Sequence, residues 1–176
     1  MVEKFDFSAV NSKLHHVGIT VSDVDRSLLF WKDFLGVEPR FRKILDAPYL
    51  SEITGYKNIS LDACWIDLPG GIVLEILNYL TTDKVPNSEL TANPGNVHIC
   101  FETSDAQKLF DHAVSCGARS LTGNPIQITE GPNKGSKGCY LRDPDGITLE
   151  ILQPARIGED SCPKCPFQAT LISEED

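Results

Sequence analysis

No stretch of this sequence approaches the roughly 20 consecutive apolar residues that a membrane-spanning helix needs, and its opening, MVEKFDFSAVNSK, lacks the apolar core of a secretion signal. Positive charge is scarce too: 16 lysines and arginines face 25 aspartates and glutamates, a formal net charge of −9. That balance disfavours nucleic acid and anionic membrane as partners. Cysteine pairs are almost absent. Cys64, Cys100, Cys116 and Cys139 stand singly in apolar or helical stretches and read as small core residues. Cys162 and Cys165, in CPKC, have zinc or redox spacing but no second pair to complete a four-sulfur site. These absences lead to the expectation of a soluble, cytoplasmic protein whose partner is a small molecule.

What the chain does have, it writes twice. Residues 71–77 read GIVLEIL and residues 146–152 read GITLEIL, differing at one position, Val73 against Thr148. Each follows a tight turn, LPGG in one case and DPDG in the other, and each carries one acid in an apolar run. Burying a carboxylate there is costly unless something positive meets it. The same order surrounds both copies. A β-branched strand opens at His16 and another near His98; a helix follows each, and three more strands follow the helix.

Ser22-Asp23 offers the N-cap of the first helix, whose apolar face is Leu28, Trp31, Phe34 and Leu35, with Gly36 to stop it. Ser104 with Gln107 forms a capping box for the second, with Leu109, Phe110, Ala113 and Val114 inward and Gly117 to stop it. His16 to His98 and Asp23 to Asp105 are both 82 positions, while Glu75 to Glu150 is 75. The first unit therefore holds seven extra residues, which segment 46–58 can absorb as a loop with a turn of helix near a site. The expected organisation is a lead-in over 1–13, a first βαβββ module over 14–80, a linker over 81–95, a second module over 96–154, and a tail over 155–176. The tail ends in LISEED, which matches part of an epitope tag.

Duplication yields two histidines and two glutamates: His16, Glu75, His98 and Glu150. If each histidine strand neighbours its glutamate strand in one sheet, both side chains can share a face. A pseudo-twofold pairing of the sheets would then converge all four. Two imidazoles and two carboxylates suit a divalent ion such as Ni, Co, Zn, Fe or Mn and leave two positions of an octahedral sphere open, as a catalytic metal requires.

The run HHVGITVSDVDRSLLFWKDFLGV, the ending YLRDPDGITLEIL and the repeated βαβββ order resemble the vicinal oxygen chelate superfamily, over about residues 14–154. That superfamily includes glyoxalase I, methylmalonyl-CoA epimerase, ring-cleaving dioxygenases, fosfomycin-modifying transferases and bleomycin-resistance proteins. The resemblance implies an α+β fold in which two tandem βαβββ modules form a cupped, eight-stranded mixed sheet around the metal. It places His16, Glu75, His98 and Glu150 on the ligand positions, and it implies a homodimer, since the superfamily often pairs subunits. Epimerases of the superfamily tend to carry Gln where this chain has Glu75, which leans towards the glyoxalase side.

The implied activity is that of a metal-dependent lyase or isomerase, abstracting a proton next to a metal-bound carbonyl of a small α-oxygenated substrate. Glu150 is the first candidate base and Glu75 the symmetrical one. Asp62 is a third by resemblance to epimerases, its plainer reading being a solvent-facing strand residue. The alternatives are a ring-cleaving dioxygenase, for which four protein ligands leave too few open sites, and a non-catalytic, resistance-type binder, which would not need the retained acids. Arg142 either meets a substrate carboxylate or pairs with Asp143 or Asp145. The loop 131–138, with two lysines, either clasps an anionic tail or is solvated and mobile. His15 is expected on the opposite side of its strand from His16, and His112 at a polar helix position, neither of them a ligand.

Overall fold

The computed structural model describes residue 10 and residues 13–155 except residue 87. Phe5, Phe7, Cys162, Cys165 and the LISEED ending lie outside the described residues. In the first half, β1 (His16–Thr20), α1 (Val24–Leu35), β2 (Pro39–Leu45), α2 (Tyr49–Thr54), β3 (Leu61–Asp67) and β4 (Val73–Tyr79) follow in order. The second half runs β5 (His98–Glu102), α3 (Ala106–Ser115), β6 (Arg119–Ser120), β7 (Ile126–Gln127), β8 (Lys137–Arg142) and β9 (Thr148–Gln153). No helix among the described residues is long and apolar enough to cross a membrane.

The strands form two sheets of matching topology. One has the order β1-β4-β3-β2; the other has β5-β9-β8-β6, with β7 also on β8. In each, the first strand lies parallel to the last while the remaining pairs are antiparallel. The expected α+β pair of βαβββ units is thus present, as a four-stranded and a five-stranded sheet. The fifth strand comes from an interruption. β6 and β7 pair with successive parts of β8 and are separated by 121–125, LTGNP, where Gly123 adopts φ +89° and Pro125 has no N–H to donate.

Equivalent caps start the long helices. Asp23 accepts from the Arg26 N–H at 3.1 Å and Asp105 from the Lys108 N–H at 3.0 Å. The second helix therefore begins one residue later than a Ser104 cap would give, because the Asp105 carboxylate takes the position. In the first unit the extra residues include α2, whose buried Leu50 packs with Ile59, Leu61, Leu45 and Tyr79.

One apolar core serves both halves. Trp31 and Phe34 of α1 pack on Phe101 of β5, with ring centroids 6.3 and 5.5 Å apart, and Trp31 is wholly buried. His112 Nε2 lies 3.0 Å from the Phe34 carbonyl oxygen, so this helix histidine ties the halves together. Asp145, in the turn before β9, accepts from the Ser22 N–H at 2.8 Å, the Ser22 hydroxyl at 2.7 Å and Arg26 Nη2 at 2.6 Å.

Asp143, in the same turn, is fully buried. Its Oδ1 accepts from the N–H groups of Asp145 and Ile147, yet burial outweighs these bonds and, with the Asp145 charge, raises its pKa to about 6. Arg119 also feels the Asp143 charge. Since its folded pKa lies above the unfolded one, Asp143 stabilises the fold below about pH 4, and that contribution is lost as pH rises through about 6. Asp143→Asn is expected to gain stability on wild type between pH 4 and pH 7, by up to about 3 kcal/mol on top of any constant offset. Urea unfolding at both pH values checks this; a pH-independent difference would contradict it.

Candidate active site

Register decides what the repeated residues can reach. Gly18 is opposite Glu75 in the β1–β4 ladder, and Cys100 is opposite Glu150 in the β5–β9 ladder. Each histidine thus lies two residues before its glutamate's partner and points to the same face. The side chains close the remaining gap. His16 Nε2 is 3.2 Å from Glu75 Oε2, and His98 Nε2 is 2.9 Å from Glu150 Oε2. Both pairs are partly open to solvent.

Their surroundings differ in a way the repeat did not reveal. Opposite Glu75 on β3 is Trp65, whose indole N–H donates to Glu75 Oε1 at 2.9 Å while its ring stacks on His16 at 6.1 Å. Opposite Glu150 on β8 is Tyr140, tilted 53° against the His98 ring at 5.5 Å. Beside Glu75 the chain has Gly18, with no side chain. Beside Glu150 it has Cys100, whose thiol, locally shielded from water although the residue as a whole is exposed, is pushed up to about 12 by that desolvation and then by the Glu150 carboxylate. Tyr140 is raised for the same two reasons.

The chain does not gather all four expected ligands. Among the described residues, no three His, Cys, Asp or Glu side chains are placed to hold one metal ion. One chain therefore presents two separate pairs, each with one imidazole and one carboxylate.

Several other expectations are corrected. Asp62 is not solvent-facing: it is 7% exposed, on the face of β3 opposite to Trp65 and Glu75, and Arg42 grips it through Nε at 3.2 Å and Nη2 at 2.8 Å. A carboxylate held there cannot reach a substrate beside Glu75. Arg142 is fully buried and pairs with neither Asp143 nor Asp145, but donates to the Thr148 hydroxyl and the Glu89 carbonyl. His15 does not point away from His16, because it precedes β1 and escapes the strand's alternation; its Nδ1 lies 2.7 Å from His16 Nδ1.

Cys100 is exposed on edge strand β5, not a core residue, while Cys64 is buried and Cys116 and Cys139 are half-buried. The 131–138 loop is tied by its own backbone bonds, among them Gly135 N–H to the Ile128 carbonyl at 2.8 Å. Lys137 enters β8 on the face away from Glu150.

The profile of the Glyoxalase/Bleomycin resistance protein/Dioxygenase superfamily matches residues 15–140, and the chain belongs to that superfamily. It is 23% identical over 147 residues to a 2-epi-5-epi-valiolone epimerase from Actinomyces sp, covering 79% of this chain and 78% of that protein. It is 26% identical over 153 residues to a lactoylglutathione lyase of Arabidopsis thaliana, with 86% of this chain covered. The chain spans about half of that plant enzyme's length (48%). In fold it resembles a glyoxalase family protein from Bacillus cereus, with TM-score 0.70, 18% identity, and 88% of this chain and 99% of that one covered.

The Arg42–Asp62 grip is structural by this geometry. Arg42→Gln should leave the buried Asp62 carboxylate without its charged partner and cost about 2 kcal/mol in urea unfolding, while leaving cobalt uptake at wild-type level. Lost uptake in a folded variant would return Asp62 to the site.

Proposed function

We propose that this chain is a metal-dependent lyase or isomerase of glyoxalase or epimerase type, moving a proton next to the carbonyl of a small α-oxygenated substrate. Its site is completed by a second copy of the chain, with His16 and Glu75 from one subunit facing His98 and Glu150 of the partner subunit. The observation that carries the reading is the same imidazole–carboxylate pair, built twice in the same register. Two such pairs make a donor set that suits a borderline divalent ion (Ni, Co, Zn, Fe or Mn). Such an ion would supply Lewis-acid stabilisation of the negative charge developing on a substrate oxygen. The relatives named an epimerase and a lactoylglutathione lyase support this class over ring cleavage.

The two carboxylates divide the work. Glu75 has Oε1 on the Trp65 N–H and Oε2 towards His16, so it is tethered at both ends. Glu150 has Oε2 towards His98 and, in place of an indole, the Cys100 thiol and Tyr140. A thiol is a weak donor, which leaves Glu150 freer to turn from the ion to the substrate carbon. Glu150 is the base in this assignment, and Glu75 holds the ion.

Cobalt titration of separate and mixed variants tests both claims. Glu75→Gln and Glu150→Gln should each lower uptake from one ion per chain and weaken binding by about tenfold or more. Mixing the two variants under conditions of subunit exchange should restore wild-type affinity in about a quarter of the sites, as half the dimers then hold one intact site. No restoration would place the site within one chain, and full uptake by both variants would remove these residues as ligands.

A further inference from the structure

The face of the second sheet that carries His98 and Glu150 also carries two arginines with no part in the reaction outlined above. His98, Thr148, Arg142 and Arg119 form one cross-strand row, each the register partner of the next. At about 4.8 Å between strands, Arg142 lies about 10 Å and Arg119 about 14 Å from His98 along the row.

Among the described residues, no carboxylate is bonded to Arg142. Its Nη1 and Nη2 donate to neutral oxygens, the Thr148 hydroxyl and the Glu89 carbonyl, and its buried Nε–H has no acceptor. A buried guanidinium without a bonded anion is costly. One carboxylate close enough to feel its charge is that of Glu89, which forks onto Arg119 at 2.5 and 3.3 Å. Glu89 Oε1 packs over Gly146, where an added Cβ would lie 3.0 Å from it, while the Gly146 N–H donates to the Asp143 carbonyl. Glu89 comes from the linker between the repeats, not from either repeated unit. Both it and Arg119 are about half-exposed (45% and 52%), so this ion pair faces solvent. An exposed pair of this kind contributes little and exchanges readily.

We propose that Arg119 and Arg142, beside the space left open by the absent side chain of Gly146, form an oxyanion subsite for the substrate, which Glu89 fills as an internal stand-in. A substrate carrying a carboxylate or phosphate about 14 Å along the row from its reacting carbonyl displaces the Glu89 side chain. Its oxygens take the Arg119 fork while Arg142 supplies fixed positive charge beneath. The inference rests on the reading of His98 and Glu150 as the reaction site, but oxyanion binding itself needs no metal.

The test is calorimetric titration of the full chain with inorganic phosphate and with succinate, at ionic strength matched with chloride. Glu89→Gln is expected to bind one or both about fivefold more tightly than wild type, because an exposed ion pair no longer competes. Arg119→Gln, at a half-exposed position that tolerates the change, should bind about fivefold more weakly, and the double variant should lose the gain. The ligand that responds more strongly separates phosphate from carboxylate. Equal affinity in wild type and Glu89→Gln, or unchanged affinity in Arg119→Gln, would overturn the proposal and leave Glu89 a linker tether. Running the series in His98→Ala separates this result from the metal assignment. A gain that persists there supports the subsite whatever the cobalt titration shows, and a gain that vanishes with a folded His98→Ala overturns it as an independent subsite.

Discussion

The parallel pairing of each unit's first strand with its last is the constraint on which the candidate site depends. An antiparallel return would not require the chain to cross the sheet; a parallel one does, and the helix after the first strand makes that crossing. Once β1 lies on β4 and β5 on β9, the two-residue offset between each histidine and glutamate becomes a separation that an imidazole and a carboxylate span together. The acid in each apolar run then has a partner, which lessens the cost of placing it there.

The two units have diverged around this common frame. Trp65 and Gly18 surround one carboxylate; Tyr140 and Cys100 surround the other. An indole N–H holds Glu75, whereas Glu150 meets the Cys100 thiol, a weaker donor. The first sheet has α2 packed over Leu61 and Tyr79, on the face that carries Glu75. The second has the linker residue Glu89 drawn onto two arginines. Two equal imidazole–carboxylate pairs thus acquire unequal surroundings, and the roles proposed for the two carboxylates follow from that inequality.

Much of this was legible in the residues. The repeated GI-LEIL strands, the 82-residue spacing of His16 to His98 and Asp23 to Asp105, and the glycines ending the helices all depend on local backbone preferences and on periodicity, which a single chain displays openly. The side-chain partners of lone charged residues did not. Asp62 read as solvent-facing because strand alternation assigns residues to faces without saying what covers each face; α1 and Arg42 cover that one. Arg142 had two acids close by in sequence, but its strand turns it to the other side, towards a linker carbonyl 53 residues away. His15 was assigned by alternation that begins only at His16.

By itself, then, the sequence determined the duplication, the α+β class, the order of the elements apart from β7, and the four residues of the repeated pairs, because each is written in short-range pattern and spacing. Only the tertiary structure decided that each histidine meets the glutamate of its own unit, that the two pairs stay apart within one chain, and that Glu89 lies on Arg119. Those outcomes come from strand register and from packing between distant segments, where contacts many tens of residues apart select among partners that local pattern leaves equivalent.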